Sequence, residues 1–374
     1  MVSSLRLLSI YLAVFNLVQH GISFTLRPAC SGRGFKVGLK ASKRSGAMSR
    51  SKANKLKSSS GGFGKKEVEE EIKDTIISED GCIYSRPALY DLAFGYRNYE
   101  EEVRFLIESH EKYSKPRSDS GRDEIKPHLN LMEIAAGPAR HSITALRHFG
   151  SSVKSCTAVD LSKDMISYSN EVADEELGDS GIGGKRDSFH YIKSDMRDIQ
   201  SIENESIDAA WILLGSMRHL TTNDDVISCF QSISKLLRKG GTLTLELPHP
   251  REIFSMVECT RNGWEVPLED ESGEYGELKI VWGDDDDVFD PIRQVRDFTI
   301  SMHLETTDKS MKDDADVQSV KEVVPMRLFT TQEIDALGRI AGFEVKCLHG
   351  ALSEEVDINS DDEAFRLVCI MRKS

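Results

Sequence analysis

Apolar residues along this chain change period repeatedly after Asn130. Short apolar runs alternate with stretches whose apolar positions recur at helical spacing, and that alternation predicts a parallel sheet with crossover helices. Residues 130–134 form an apolar run that leads into a Gly-Pro turn, and 142–149 follow at helical spacing. Residues 153–159 predict a second strand ending in Asp160, and 164–172 a helix with Ser162 as its N-cap. A Gly-rich loop at 178–184 precedes strands at 189–192 and 207–214. Residues 222–237 predict a helix with Ile227, Phe230, Ile233 and Leu236 on one face, Thr222 as its cap and Gly240-Gly241 as its stop. A fifth strand is expected at 242–247, a helix at 331–341 closed by Gly342, and a final strand pair at 343–348 and 365–371.

Between these, the rhythm breaks. Residues 279–282, 298–304 and 317–324 alternate like antiparallel strands around two acidic loops, 284–287 and 312–316, expected to be solvated. An inserted sheet or lid is the reading. Upstream, 100–110 predict an amphipathic helix carrying Val103, Phe105, Leu106 and Ile107. The division that follows is a helical lid segment at 67–128, a core at 129–253, an inserted β lid at 254–326 and the return of the core sheet at 327–374.

Charge divides the chain more sharply than hydrophobicity does. Of its 48 Lys and Arg, thirteen lie in residues 1–66, which contain no Asp or Glu. Residues 67–374 then hold 35 basic against 62 acidic side chains, a net charge of −27. A body that acidic repels phosphate backbones, so no nucleic-acid partner is expected. The seven cysteines are dispersed, without CxxC or Cys/His spacing, which speaks for reduced structural thiols and no metal site.

Residues 1–23 read as a signal peptide, with Arg6 before an apolar core at 7–18 and small residues Gly21 and Ser23 at a cleavage site. The apolar run is too short for a membrane span, which takes about 20 residues, so no membrane association is expected of the mature form. Residues 24–66, basic and rich in Ser, Gly and Ala, have the composition of a transit peptide. Together, beginning at Phe24, they resemble the two-part presequences of algae with secondarily acquired plastids. The plastid stroma, reached through the secretory route, is the expected address. Secretion with a flexible basic linker is the alternative.

In an open parallel α/β sheet, ligands bind beyond the carboxyl ends of the strands, where strand order reverses. Three signals fall at such ends. Glu133-Ile134-Ala135-Ala136-Gly137-Pro138-Ala139-Arg140 offers small residues for close backbone approach and a carboxylate able to accept from a ligand ammonium. Asp160 ends the next strand; its two oxygens can accept both ribose hydroxyls, or serve only as a helix cap. Asp195-Met196 follows the third strand, an acceptor beside a polarizable apolar side chain.

Glycine turn, acid and acid, in order and each after a strand, resemble the class I S-adenosylmethionine-dependent methyltransferase family. The resemblance covers about 81–374 and includes Leu236-Leu237-Arg238-Lys239-Gly240-Gly241-Thr242-Leu243 and Arg327-Leu328-Phe329-Thr330-Thr331-Gln332-Glu333-Ile334. It implies a Rossmann-like, seven-stranded, mostly parallel sheet with helices on both faces and the last strand antiparallel. It also implies S-adenosylmethionine as cofactor and a small-molecule methyl acceptor. By position, Glu133, Ala135 and Gly137 would hold the methionine part, Asp160 the ribose, and Leu161, Asp195 and Met196 the adenine. Leu214 and Gly215 would pass beneath the methionine. The family usually has glycines where Ala135 and Ala139 stand here.

Methyl transfer is an in-line displacement, so alignment and exclusion of water are the main tasks, with a base needed only when the acceptor loses a proton. His219, after the fourth strand, is the candidate base or orienting group. Its alternative is a structural histidine. His249, Tyr84 and Tyr90 are candidates for substrate contact, the tyrosines equally for core. Arg140 and His141 are expected to contact the cofactor carboxylate or nothing. Two other readings compete: a non-catalytic cofactor-binding protein of the same fold, and an NAD(P)-dependent oxidoreductase, for which the turn lacks GxGxxG.

Overall fold

A computed structural model describes residues 82–116, 128–178, 185–251, 262–270, 273–284, 286–306, 320–360 and 363–374. Residues 1–66, read as a presequence, lie outside them, as do the acidic loop at 312–316 and all of the Gly-rich loop at 178–184 but Gly178. The main sheet has seven strands: β1 (Leu129–Ile134), β2 (Val153–Asp160), β3 (Phe189–Lys193), β4 (Ile207–Ile212), β5 (Leu237–Pro248), β11 (Phe343–His349) and β12 (Arg366–Lys373). Their order is β11-β12-β5-β4-β1-β2-β3. Only β12 runs antiparallel to its neighbours, so the sheet is Rossmann-like and mostly parallel, as expected. The order reverses between β1 and β4, which opens a crevice at their carboxyl ends.

Period-two alternation assigns the two faces. Ala210 and Ile212 of β4, with Leu367, Cys369 and Met371 of β12, join one core. That core packs under α5 (Asn223–Leu236) and α6 (Thr331–Ile340). Ala209 and Trp211, with Val368 and Ile370, join the other, under α2 (Tyr99–Tyr113), α3 (Arg140–Phe149) and α4 (Lys163–Leu177). Helices thus cover both faces, and a central strand buried on both sides needs apolar residues throughout.

The helix starts follow their sequence signals. The Ser162, Thr222 and Thr330 hydroxyls each accept the backbone N–H three residues on, satisfying donors that a helix start leaves free. Glu333 reaches back to the Thr330 N–H at 2.8 Å, which completes a capping box. One stop signal works differently. α5 ends at Leu236, and Gly240-Gly241 lie inside β5, where pairing with β4 jumps from Ile207↔Leu237 to Ala209↔Thr242. Gly240 takes φ +75, and a Cβ on Gly241 would sit 2.7 Å from the Asp208 carbonyl, so the glycines serve a bulge.

The insertion is a separate antiparallel sheet of β6 (Asn262–Asp270), β7 (Gly273–Trp282), β8 (Phe289–Asp290), β9 (Val295–Thr306) and β10 (Val320–Arg327). The turn expected to be a free acidic loop is anchored instead. The Asp287 carboxylate accepts from the N–H of Asp284 at 2.7 Å and of Thr299 at 3.1 Å. The inner face of this sheet, with Leu278, Ile280, Phe298, Ile300 and Met302, packs on Ile83 and on Leu89, Tyr90 and Phe94 of α1 (Pro87–Phe94). Trp264 and Trp282 stack at 6.5 Å beside Phe94, and Trp264 donates to the Ala93 carbonyl at 2.8 Å. The insertion and the N-terminal segment form one roof.

Candidate functional site

The crevice is lined by backbone that L residues rarely adopt. Ala135, Gly137 and Ala139 are all left-handed, at φ 51, 51 and 53, and Leu214 and Gly215 follow at 55 and 72. Alanine in place of glycine therefore leaves the turn's shape intact, at about 1–2 kcal/mol for each left-handed L residue. Gly137 is held from both sides. Its N–H donates to Asp160 Oδ2 at 2.9 Å, while Ser169 and Tyr191 donate to its carbonyl at 3.0 and 2.5 Å. The other Asp160 oxygen accepts from the Ser162 N–H at 2.9 Å. Burial raises the Asp160 pKa above the usual carboxylate value, against the pull of those amides.

Beside Asp160, Leu161 leaves 57% of its surface exposed, an apolar side chain open at the crevice. Ser194 N–H donates to the Asp160 carbonyl at 3.0 Å, which brings the end of β3 alongside. There Asp195 is gripped by Arg197, whose Nη2 lies 2.6 Å away and whose Nη1 reaches Asp225 at 2.9 Å. Those hydrogen bonds hold Asp195 below its ordinary pKa. Met196 packs against the core.

Tyr84 and Tyr90 close the crevice from the roof. Their ring centroids lie 5.9 Å apart, and the site's Leu214 packs among the same apolar residues. Ser162 Oγ donates to the Tyr84 carbonyl at 2.9 Å, tying roof to floor. The Tyr84 hydroxyl meets His219 Nε2 at 2.9 Å. Burial, and then the neighbouring Arg218 charge, pulls the His219 pKa down to about 4, so its imidazole is neutral at working pH. Burial also keeps the Tyr84 hydroxyl protonated. His249 sits apart: Nε2 is 2.8 Å from the Ile358 carbonyl, and Nδ1 accepts from the Arg251 backbone N–H at 3.1 Å. Both its nitrogens are taken.

Glu133 and its neighbours form a buried charge relay that the sequence reading did not assemble. Glu133 accepts from the Ser142 N–H at 2.9 Å and hydroxyl at 2.7 Å, capping α3, whose N-cap Ala139 has no side-chain acceptor. His141 stands between Glu133, 3.2 Å from Nδ1, and Glu102, 2.8 Å from Nε2. Arg97 Nε then meets Glu102 at 3.0 Å, and its Nη2 lies 3.2 Å from both oxygens of Glu246. Glu246 in turn accepts from the Leu214 N–H at 2.9 Å. Arg140 is engaged by Asp91 and by Glu176, the latter at 2.7 Å. A lone carboxylate in an apolar strand, as in the sequence Thr-Leu-Glu-Leu around Glu246, was the available signal.

The fit to an adenosyl cofactor rests on this geometry: a left-handed turn at the strand-order reversal, a carboxylate at the end of β2 and an exposed apolar contact beside it. Comparison with known proteins agrees with it. A family model described as a methyltransferase domain matches residues 131–241. The putative methyltransferase YqeM of Bacillus subtilis (strain 168) is 28% identical over 117 residues, 31% of this chain and 41% of that protein. The match thus spans about two-fifths of that relative's length. An S-adenosylmethionine-dependent methyltransferase from Clostridium acetobutylicum superposes with a TM-score of 0.54 at 15% identity, covering 77% of this chain and 97% of that one. CalS10, an amino pentose methyltransferase from Micromonospora echinaspora, gives 0.52 at 16%, covering 76% and 97%. The sugar N-methyltransferase KedS8 from Streptoalloteichus gives 0.52 at 14%, covering 86% and 99%.

At such identities the structural likeness establishes the fold. The chain has the S-adenosylmethionine-binding fold of class I methyltransferases, and its residues 131–241 match the methyltransferase domain.

Proposed function

We propose that this protein is an S-adenosylmethionine-dependent methyltransferase for a small-molecule acceptor held between the crevice and the roof. The observation that carries the reading is the left-handed turn at Ala135–Ala139 locked to Asp160 at the strand-order reversal. Asp160 and Leu161 would take ribose and adenine, with Asp195 and Met196 at the adenine edge, and Ala135, Gly137, Leu214 and Gly215 would take the methionine part. The bound cofactor supplies a methyl group already activated on sulfur. The protein's share is alignment and dryness. Tyr84 and His219 would orient the acceptor. A neutral imidazole accepts a hydrogen bond from an amine or hydroxyl, and with a pKa of about 4 it serves to orient that group rather than to take its proton. The roofed site supports a small acceptor, and the activities named for CalS10 and KedS8 make amino sugars the first class to try.

The test is thermal unfolding of the full chain with S-adenosylhomocysteine, S-adenosylmethionine and NADH, beside Asp160→Ala. Ligand at a hundredfold over its dissociation constant adds about 2.7 kcal/mol, which raises the midpoint by several degrees. A shift with both adenosyl ligands, lost in the variant, is expected; a shift with NADH alone overturns the reading. Radiolabelled methyl transfer to amino sugars then separates an enzyme from a cofactor-binding protein. Delivery to the plastid stroma is proposed on the basic, acid-free composition of 1–66. Fusion of those residues to a fluorescent protein in a plastid-bearing alga tests it, secretion being the contrary result.

A further inference from the structure

The charge relay joins two turns of the crevice through a residue that belongs to neither. Glu133 fixes the start of α3, immediately after the Ala135–Ala139 turn, and Glu246 fixes the Leu214 amide. Glu246 also gives its backbone carbonyl to the Gly215 N–H at 2.9 Å. Between these carboxylates stand two cations, His141 and Arg97, with Glu102 shared by both. Arg97 and Glu102 come from the N-terminal segment, before the first strand of the sheet. The Arg97, His141, Glu133 and Glu246 side chains are all under a tenth exposed. At such burial each carboxylate needs a partner cation, because an uncompensated buried charge is costly. His141 has a carboxylate oxygen at each nitrogen. Only an imidazolium donates from both; the neutral ring would turn a lone pair toward an anion.

We propose that Arg97 and His141 are positioning residues for the cofactor: they hold both turns of its floor, so that cofactor affinity depends on the docked N-terminal segment. This rests on the methyltransferase reading of the crevice. A lid that only covered the ligand would leave the floor intact when undocked. Here undocking strips His141 of Glu102 and leaves Glu246 with Arg366 alone, 3.5 Å away, so the buried carboxylates that anchor both turns lose charge compensation. Ligand binding and docking of the segment are thereby coupled.

The groups facing His141 are Glu102 and the Tyr99 ring from α2, Glu133 from β1, and, one step further, Arg97 and Glu246. Hydrogen bonds to Glu102 and Glu133 overcome its burial and hold its proton up to about 9.

The test measures the dissociation constant of S-adenosylhomocysteine by calorimetry from pH 6.5 to 10 for the full chain, His141→Gln and Arg97→Lys. The ligand ammonium titrates equally in all three, so differences between them report the protein. We expect wild-type affinity to weaken above about pH 9 more steeply than in His141→Gln. The glutamine variant should be at least tenfold weaker at pH 7, with the gap closing at pH 10. Arg97→Lys keeps the charge, loses the fork and should bind about tenfold more weakly. Variants with lowered melting points but wild-type affinity and pH profile would make the relay merely structural and overturn the proposal. Where a variant fails to fold, hydrogen exchange on the wild type decides: ligand should protect amides of 97–104, and unchanged exchange there refutes the coupling. Absence of binding by the wild type instead sinks the methyltransferase reading itself.

Discussion

At the scale of single residues, the site is set by backbone strain and by which titratable groups are buried with partners. His219 and His141 show the contrast. One is held neutral, with a pKa of about 4, by burial and Arg218, and the other is held charged by two carboxylates. His219→Ala should lower kcat by about 10²-fold through lost orientation of the acceptor, while affinity for S-adenosylhomocysteine stays within about twofold. Its low pKa also predicts that kcat does not fall with protonation of this group until below about pH 5; a profile breaking near 6.5 would contradict that environment. Ala139→Gly relieves a left-handed alanine but adds freedom to the unfolded chain, so denaturant unfolding should find it within about 1 kcal/mol of wild type, on the stabilising side. The sequence named Asp160, Gly137 and His219 because each follows a strand, and Tyr84 through the family resemblance of its N-terminal segment. It could not name Arg97, whose partner Glu246 lies 149 positions away.

Elements are the best-read level of this chain, because period and capping are local properties. The helices begin at Ser162, Thr222 and Thr330 as their side chains require, and Thr330→Ala should cost about 1 kcal/mol in equilibrium unfolding. What a single element could not reveal is where its unpaired face goes. α1 carries Leu89, Tyr90, Ala93 and Phe94 into the core of the inserted sheet, and the insert alone would leave that face wet. Phe94→Ala should therefore remove about 3 kcal/mol or more and loosen the roof as a whole. The check is tryptophan fluorescence, since Trp264 and Trp282 flank the lost ring and Trp211 is fully buried elsewhere. The Gly240-Gly241 pair illustrates a local signal with two meanings, a helix stop or a bulge. Close approach to the Asp208 carbonyl, a tertiary fact, selected the bulge.

For the whole molecule, the relay makes stability depend on alkaline pH. Burial works against the His141 proton, yet its hydrogen bonds to Glu102 and Glu133 lift the folded-state pKa to about 9, above the value near 6.5 in an unfolded chain. The contribution, about 3 kcal/mol, is therefore full below pH 6.5 and is lost as pH rises through 9. Urea unfolding at pH 6.5 and 9.5 should show that loss, and His141→Gln should be nearly indifferent to the change. The strand and helix sequence, the caps and the acids at strand ends were all determined by the amino-acid order, because each depends on residues within one turn or one strand of each other. The strand order β11-β12-β5-β4-β1-β2-β3, the left-handed φ of Ala135, Ala139 and Leu214, and the joining of Arg97 to Glu246 were decided only by tertiary structure. They depend on which distant surfaces are buried together, and a buried charge takes whatever opposite charge the packing brings within reach.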